Sequence, residues 1–320
     1  MIGMSRRGLI GAGLAAGASG LAARATAASP KEPFFRGNGL PVGLQLYTLG
    51  PDLAKDLDGM LGQVAGIGYR TVETAGYAGR TPQEMRAALD KAGLKCTSAH
   101  IPATAASGQP SWANIDEVIA DAKVLGFTHV VLPMFEVPAR ITSVHIEGES
   151  TADSRERMVR SLTVDDWKGT ADLLNAKGKA LRAAGLTAGY HNHNVEFAPV
   201  GGTTGLEILL KGTDPALVSF EMDVGWVVAG GHDPFALLKA HAGRFKQMHI
   251  KDVKVTTKTN FAFRQDPTEV GSGIIDWKKL LPAAYAEGVR GFFVEQEPPF
   301  EHPRIDSAKI CFDYLNAVVA

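Results

Sequence analysis

The sequence predicts a single (β/α)8 barrel, an α/β fold of the TIM-barrel kind. Three observations carry the prediction. Eight short apolar runs of strand length can be found along the chain. Amphipathic stretches of helical period lie between them, which implies right-handed βαβ units. The alternative, a doubly wound sheet, is disfavoured because Leu46-Tyr47-Thr48-Leu49-Gly50, after the first strand, lacks the spacing of a glycine-rich phosphate turn.

The elements follow in order. A first strand is expected over residues 42–49, then a helix over 52–67 that ends at Gly68. A second strand is expected over 70–74 and a loop over 75–80. Thr81 supplies a helix cap, with Pro82 at the first helical position and Glu84 three residues on, and this helix stops at Gly93. Residues 94–100 read as a third strand, 114–125 as a helix ending at Gly126, and 127–134 as a fourth strand. Thr163 caps a long helix running to Ala184. Strands five to eight are expected over 186–191, 218–224, 244–250 and 291–295. Two connections, 138–162 and 252–274, are longer than a barrel needs. Both leave C-terminal strand ends, where barrel active sites sit, and read as substrate-covering loops, with plain surface excursions as the alternative.

Composition narrows the function. The 320 residues carry 33 Lys+Arg against 34 Asp+Glu, a net charge of −1, which leaves no basic face for nucleic acid and no polybasic contact for a membrane. A 45% hydrophobic content supports a core and excludes general disorder. Two cysteines, Cys96 and Cys311, cannot make a disulfide framework or a thiolate zinc site and read as small buried apolar residues.

Residues 1–27 read as an export signal. Arg6-Arg7 is followed by a mildly apolar, Ala/Gly-rich run over 8–23, too short for a stable spanning helix, and Ala25-Thr26-Ala27 is a small-x-small cleavage site. The twin arginine suggests the Tat route, hence a periplasmic protein that folds, with any metal, before export. A tail with two chance arginines is the alternative. Residues 28–40 are expected to be an extended segment, and 41–320 the barrel.

Polar residues gather at the predicted strand ends. Glu73 ends strand two, His100 strand three, and His191-Asn192-His193 strand five, with Glu196 just beyond. Glu221 and Asp223 lie two apart on strand six and so share a face; His249, then Lys251-Asp252, ends strand seven; Glu295 and Glu297 end strand eight. In a closed barrel these ends converge on one axis. So many carboxylates and imidazoles would repel and be poorly solvated unless a positive charge sat among them. A divalent cation is the simplest neutraliser, and mixed His and carboxylate ligands suit Mn2+, Zn2+, Co2+ or Fe2+ better than Ca2+. A metal-free hydrogen-bonded network is the alternative.

At these residues the sequence resembles the sugar phosphate isomerase/epimerase superfamily of xylose isomerase-like barrels, which includes the AP endonuclease 2-type family. The resemblance runs from Gly43-Leu44-Gln45-Leu46-Tyr47 through Gly189-Tyr190-His191-Asn192-His193-Asn194-Val195-Glu196-Phe197 and Phe220-Glu221-Met222-Asp223-Val224-Gly225-Trp226. It continues at Met248-His249-Ile250-Lys251-Asp252, at Val270-Gly271-Ser272-Gly273-Ile274-Ile275-Asp276 and at Val294-Glu295-Gln296-Glu297. It implies one metal held by a side chain from each of strands five to eight: His191, Asp223, His249 and Glu295. Many epimerases of the superfamily carry Glu in the first of these positions, where a pair of metal-bound glutamates moves a proton between opposite faces of the substrate. With His191 that pair is broken, and one-sided proton abstraction, as in a dehydratase or lyase, gains ground. The His-Asn-His signature is closer to the inosose-dehydratase-like and keto-sugar-acting branch, and Glu221 can make up the lost charge as a ligand or just behind one. The DNA-repair endonuclease members need a further His three residues after the strand-six Asp, where this chain has Trp226.

The expected chemistry is metal-assisted deprotonation beside a sugar carbonyl. Glu295 and His193 are the first candidates for the base, with His100 and Glu196 also eligible, and Lys251 is the expected proton donor. Glu73, His100, Glu196, Glu221 and Trp226 are expected to bind substrate, and Trp226, Tyr47 and Phe197 can stack on a sugar or simply pack the barrel. Glu73 in particular is expected to face substrate rather than lie buried. The periplasm and the absence of a phosphate turn point to a non-phosphorylated sugar or keto-sugar. Isomerase or epimerase activity is the first expectation and β-elimination from a 3-keto sugar or glycoside the second. A non-catalytic periplasmic sugar-binding protein is the third. The resemblance also suggests a homodimer.

Overall fold

The computed structural model describes residues 32–105, 109–141 and 146–320. Eight parallel strands close into a barrel: β1 (Gly43–Gln45), β2 (Thr71–Ala75), β3 (Lys95–His100), β4 (His129–Leu132), β5 (Thr187–His191), β6 (Val218–Asp223), β7 (Phe245–Ile250) and β8 (Gly291–Val294). Each strand leads to a helix on the outside: α1 (Leu57–Ile67), α2 (Pro82–Ala92), α3 (Ile115–Leu125), α4 (Val164–Ala183), α5 (Gly205–Gly212), α6 (Pro234–Ala240), α7 (Trp277–Ala286) and α8 (Arg304–Ala317). The expected fold is therefore the observed one, with the helices burying one apolar face each against the strands.

Local chemistry sets the boundaries. Thr81 and Glu84 form a reciprocal capping box at the start of α2, and Thr163 and Asp166 another at the start of α4. Gly93 and Gly126 end α2 and α3 in the left-handed conformation, with φ of 73° and 88°. The first strand is shorter than expected. The Gln45 side chain accepts a hydrogen bond from the Tyr47 backbone N–H at 3.0 Å, which turns Leu46–Leu49 into a 3-10 helix.

The segment expected to be extended over 28–40 contains a helical turn, Phe34–Gly37, among its described residues. Phe34 and Phe35 are buried edge-on against Phe292, with ring centroids 6.1 and 5.6 Å away, and this apolar anchor holds the turn against the barrel. The proposed export signal lies outside the described residues. Among the described residues no helix is long and apolar enough to cross a membrane. Cys96 and Cys311 are free and buried.

Both long connections carry structure of their own. The one after β4 contains a helix, Thr151–Arg160, capped by Ser150. The one after β7 opens with a two-residue antiparallel ladder, Asp252–Val253 with Pro267–Thr268. Asp252 ties its base together by accepting from the backbone N–H groups of Gly271, Gly273 and Ile275 and from Trp277 Nε1.

Candidate active site at the C-terminal mouth of the barrel

The strand register brings the polar strand ends side by side. His191 on β5 pairs with Glu221 on β6, Asp223 pairs with His249 on β7, and Gln45 on β1 pairs with Glu73 on β2. Register shifts fall immediately before Glu73 and before Glu221. Such bulges re-aim side chains, and here they accompany two carboxylates that lie inside the barrel.

Four residues expected to act together do meet. One donor atom each from His191, Asp223, His249 and Glu295 lies within 4.8 Å of the others. Asp223 is held on both sides: its Oδ1 accepts from the Trp226 backbone N–H at 2.9 Å, capping the short helix Val224–Ala229, and its main chain is bonded to the Asn192 side chain. Its Oδ2 faces His191 Nε2 at 3.9 Å and His249 Nδ1 at 3.7 Å and is ion-paired with Lys251 at 2.8 Å. Glu295 lies just beyond β8, with Oε2 2.9 Å from His249 Nδ1.

A second quartet, His100, His191, Glu221 and His249, is equally compact. Most of its atoms are already engaged, Glu221 Oε1 being the exception. Glu221 Oε2 lies 2.7 Å from His100 Nε2 and 3.2 Å from His191 Nδ1, and His249 Nε2 lies 2.6 Å from Glu73 Oε2. Two imidazoles and two carboxylates, against three imidazoles and one carboxylate in the second, make the first quartet the better charge match to a divalent ion. The outer nitrogens of its two imidazoles are oriented by Glu221 and Glu73, the arrangement that fixes a metal-binding tautomer.

Electrostatics balance a dense cluster of buried charge. Burial opposes ionisation of Glu221, Asp223 and Glu295, yet each is held below its usual range, Glu221 chiefly by His249 and the other two chiefly by Lys251. Burial would lower His249, but Glu221 and Glu295 raise it well above the ordinary imidazole value. Lys251 is likewise raised against burial, by Asp223, Glu295 and Glu297. Burial lowers His191 and, more strongly, His193, with neighbouring cationic groups adding to it, so both imidazoles are neutral near pH 7. Burial raises Glu297, which is 2.6 Å from Lys251 Nζ and accepts from Trp226 Nε1 at 3.2 Å.

A cavity of about 500 Å3 opens onto this cluster, lined by His100, His191, His193, Glu295, Glu297 and Tyr47 among others. His100, His193 and Glu295 therefore reach the space that sequence reasoning gave them. Several expectations are corrected. Glu73 is fully buried and does not face the cavity; it accepts from Gln45, Ser98 and His249. Glu221 sits behind His100, His191 and His249 rather than in the cavity wall. Glu196 is also fully buried, because the 3-10 turn Val195–Phe197 folds it back to accept from the Tyr190 hydroxyl and the His193 N–H. Lys251 does not line the cavity: three carboxylates surround its ammonium, so it balances charge and holds its proton too tightly to be the expected donor. Phe197 packs on His232 and takes no part in the cavity. Trp226 lines a neighbouring cavity. Sequence reasoning noted Glu297 as a strand-end carboxylate without giving it a role; its i, i+2 relation to Glu295 was the available signal.

The sequence model of the xylose isomerase-like TIM barrel family matches residues 61–317. Among characterised relatives, the inosose dehydratase of Geobacillus thermodenitrificans (strain NG80-2) is 28% identical over 187 residues, 53% of this chain and 62% of its own length. That of Bacillus anthracis (strain CDC 684 / NRRL 3495) is 32% identical over 154 residues, 44% of this chain and 51% of its own length. The chain thus spans between half and about three-fifths of these relatives. A crystal structure of a sugar phosphate isomerase/epimerase from Parabacteroides distasonis ATCC 8503 superposes with a TM-score of 0.66 at 27% identity, covering 91% of this chain and 96% of its own.

Proposed function

Because the chain belongs to the xylose isomerase-like TIM barrel family, we propose that it removes a proton beside the carbonyl of a non-phosphorylated keto-sugar or cyclic keto-polyol and expels a β-oxygen, as a dehydratase or lyase. One observation carries this reading. The carboxylates that reach the cavity, Glu295 and Glu297, both follow β8, and the facing wall is built of the imidazoles of His100, His191 and His193. A matched pair of carboxylates on opposite faces, suited to reversible inversion at one carbon, is not what these residues form. The similarity to inosose dehydratases supports the same choice.

One divalent ion held by His191, Asp223, His249 and Glu295 would supply Lewis acidity to the substrate's carbonyl and hydroxyl oxygens. The remaining work belongs to side chains. His193, neutral and lining the cavity, takes the proton α to the carbonyl. As the C–H electrons form the new double bond, the β C–O bond breaks and the Glu297 carboxyl protonates the departing oxygen, giving water or an alcohol. Lys251 stays cationic, keeps Asp223 and Glu295 from repelling each other, and stabilises the carboxylate that Glu297 becomes once its proton has left. His100 hydrogen-bonds a substrate oxygen from the cavity wall. Action in the periplasm after export is part of the proposal, supported by Arg6-Arg7 and Ala25-Thr26-Ala27.

A second reading, isomerisation or epimerisation, is favoured by the similarity to the Parabacteroides structure. Product mass separates the two. The metal-loaded protein is incubated with inososes and 3-keto sugars, and loss of water or an alcohol is the expected result. A product of unchanged mass that gains deuterium in D2O overturns the elimination reading in favour of the second.

A further inference from the structure

A second cavity, of about 550 Å3, lies beside the one described, walled largely by the connection that follows β7. Glu297 lines both, so the two spaces share that side chain as a boundary. Each falls within the roughly 300–1,000 Å3 typical of a small-ligand site, and one sugar ring in the first leaves the second unused. We propose that the second cavity binds a second hydroxylated ring joined to the sugar at the His/carboxylate cluster, so that the substrate is a disaccharide or a glycoside with a hydroxylated aglycone. The inference rests on the first cavity holding a sugar, as argued above.

The chemistry of the wall supports a sugar. Gln265 lines this cavity, and its Oε1 and Nε2 are both buried without a partner. A group that satisfies both must donate and accept at one place, as neighbouring hydroxyls do. Aromatic surface is present beside these polar atoms. The Trp226 indole is fixed by its bond to Glu297. Phe263 is held at a φ of 54°, a left-handed conformation costly for an aromatic residue, and its N–H donates to Asn194 Oδ1 at 3.2 Å. That conformation sets the Phe263 ring 5.1 Å from His193 and 6.4 Å from Trp226, between the second cavity and the proposed base. Lys258 lines the same space and has no carboxylate partner among the described residues, leaving its ammonium for ring hydroxyls.

The test is binding of glucose, maltose, cellobiose and trehalose to the metal-loaded protein and to Gln265→Ala, measured by calorimetry. At least one disaccharide is expected to bind roughly tenfold tighter than glucose, and Gln265→Ala to remove that advantage while changing glucose affinity by less than about twofold. Lys258→Ala, an exposed substitution, serves as the second variant and is expected to weaken only the disaccharide. Equal affinities for glucose and all three disaccharides would overturn the proposal, as would an equal loss for glucose and disaccharide in both variants. The outcome is separable from the elimination reading, which the product mass from a one-ring keto-sugar tests by itself.

Discussion

Replacing Glu73 with glutamine asks whether a residue that never meets the cavity sets the affinity of the proposed ion site. Glu73 Oε2 takes hydrogen bonds from His249 Nε2 at 2.6 Å and Gln45 Nε2 at 2.8 Å, and Oε1 accepts from Ser98 Oγ. Glutamine keeps the shape but loses the charge, and one end becomes an NH2 that cannot accept. With the NH2 turned to Ser98 Oγ the amide oxygen still accepts from His249 Nε2, so what the imidazole loses is an anionic outer partner. Loss of the outer partner of a metal-binding imidazole costs about 10–100-fold in metal affinity, or about 1.4–2.7 kcal/mol. The metal-free protein should lose about 1–3 kcal/mol, the scale of a hydrogen bond to a charged group. Calorimetric titration of wild type and Glu73→Gln with Zn2+ and Mn2+, beside urea unfolding of the metal-free forms, reads both quantities. Ser98→Ala also removes a bond from Glu73, but from the oxygen that does not meet His249, and should leave metal affinity within about twofold. If Glu73→Gln binds the ion as tightly as wild type, or Ser98→Ala weakens binding equally, Glu73 does not act through His249.

Metal analysis of point variants tests the choice between the two quartets: Asp223→Ala should lose the ion and His100→Ala should retain it, the reverse pattern would move the site to the Glu221 side, and His191→Ala, common to both quartets, should lose it in either case. Because His249 is raised well above its ordinary value and must give up the Nδ1 proton to coordinate, metal affinity should increase as pH rises from 6 to 8, by about tenfold per pH unit per proton released; a pH-independent affinity would count against His249 as a ligand. Burial raises Glu196 from 4.5 to about 7 even though the Tyr190 hydroxyl and the His193 N–H favour the charged form. Its stabilising contribution is then complete below pH 4.5 and is lost as pH rises through about 7, a change of about 3 kcal/mol that Glu196→Gln should abolish in urea melts at pH 5 and pH 8. Asp252→Ala removes the acceptor for four backbone N–H groups, those of Val253, Gly271, Gly273 and Ile275, and for the Trp277 indole, so limited proteolysis should cut within 254–266 far faster than in wild type; unchanged cutting would mean the loop is anchored elsewhere.

Strand ends were legible in the sequence because burial makes a strand apolar and a functional mouth makes its last residue polar. His191, Asp223 and His249 each stand at the last or next-to-last position of their strands, and Glu295 directly follows β8. Depth along the barrel axis was not legible. Glu73 is the middle residue of β2, and the irregularity before it, which no residue type announces, accompanies its place beneath His249. Glu196 lies in a single 3-10 turn, too short for any periodicity to reveal which way it points. Lys251 has a stem long enough to reach solvent or the interior, and the three carboxylates that draw it inward come from β6 and from the chain after β8, more than 25 residues away in either direction. Its role depends on contacts that only the closed barrel creates.

Asp223 answers to two masters at once. One oxygen starts a helix and the other faces the cluster, so the fold and the reaction make separate demands on a single side chain. Alanine would fail both, whereas serine would satisfy the first and abandon the second. A descendant of this barrel that gave up its reaction would therefore be under pressure to keep a short capping side chain here. Serine, threonine or asparagine at this position, beside an otherwise intact scaffold, would be the mark of a barrel that still folds but has given up the proposed ion site.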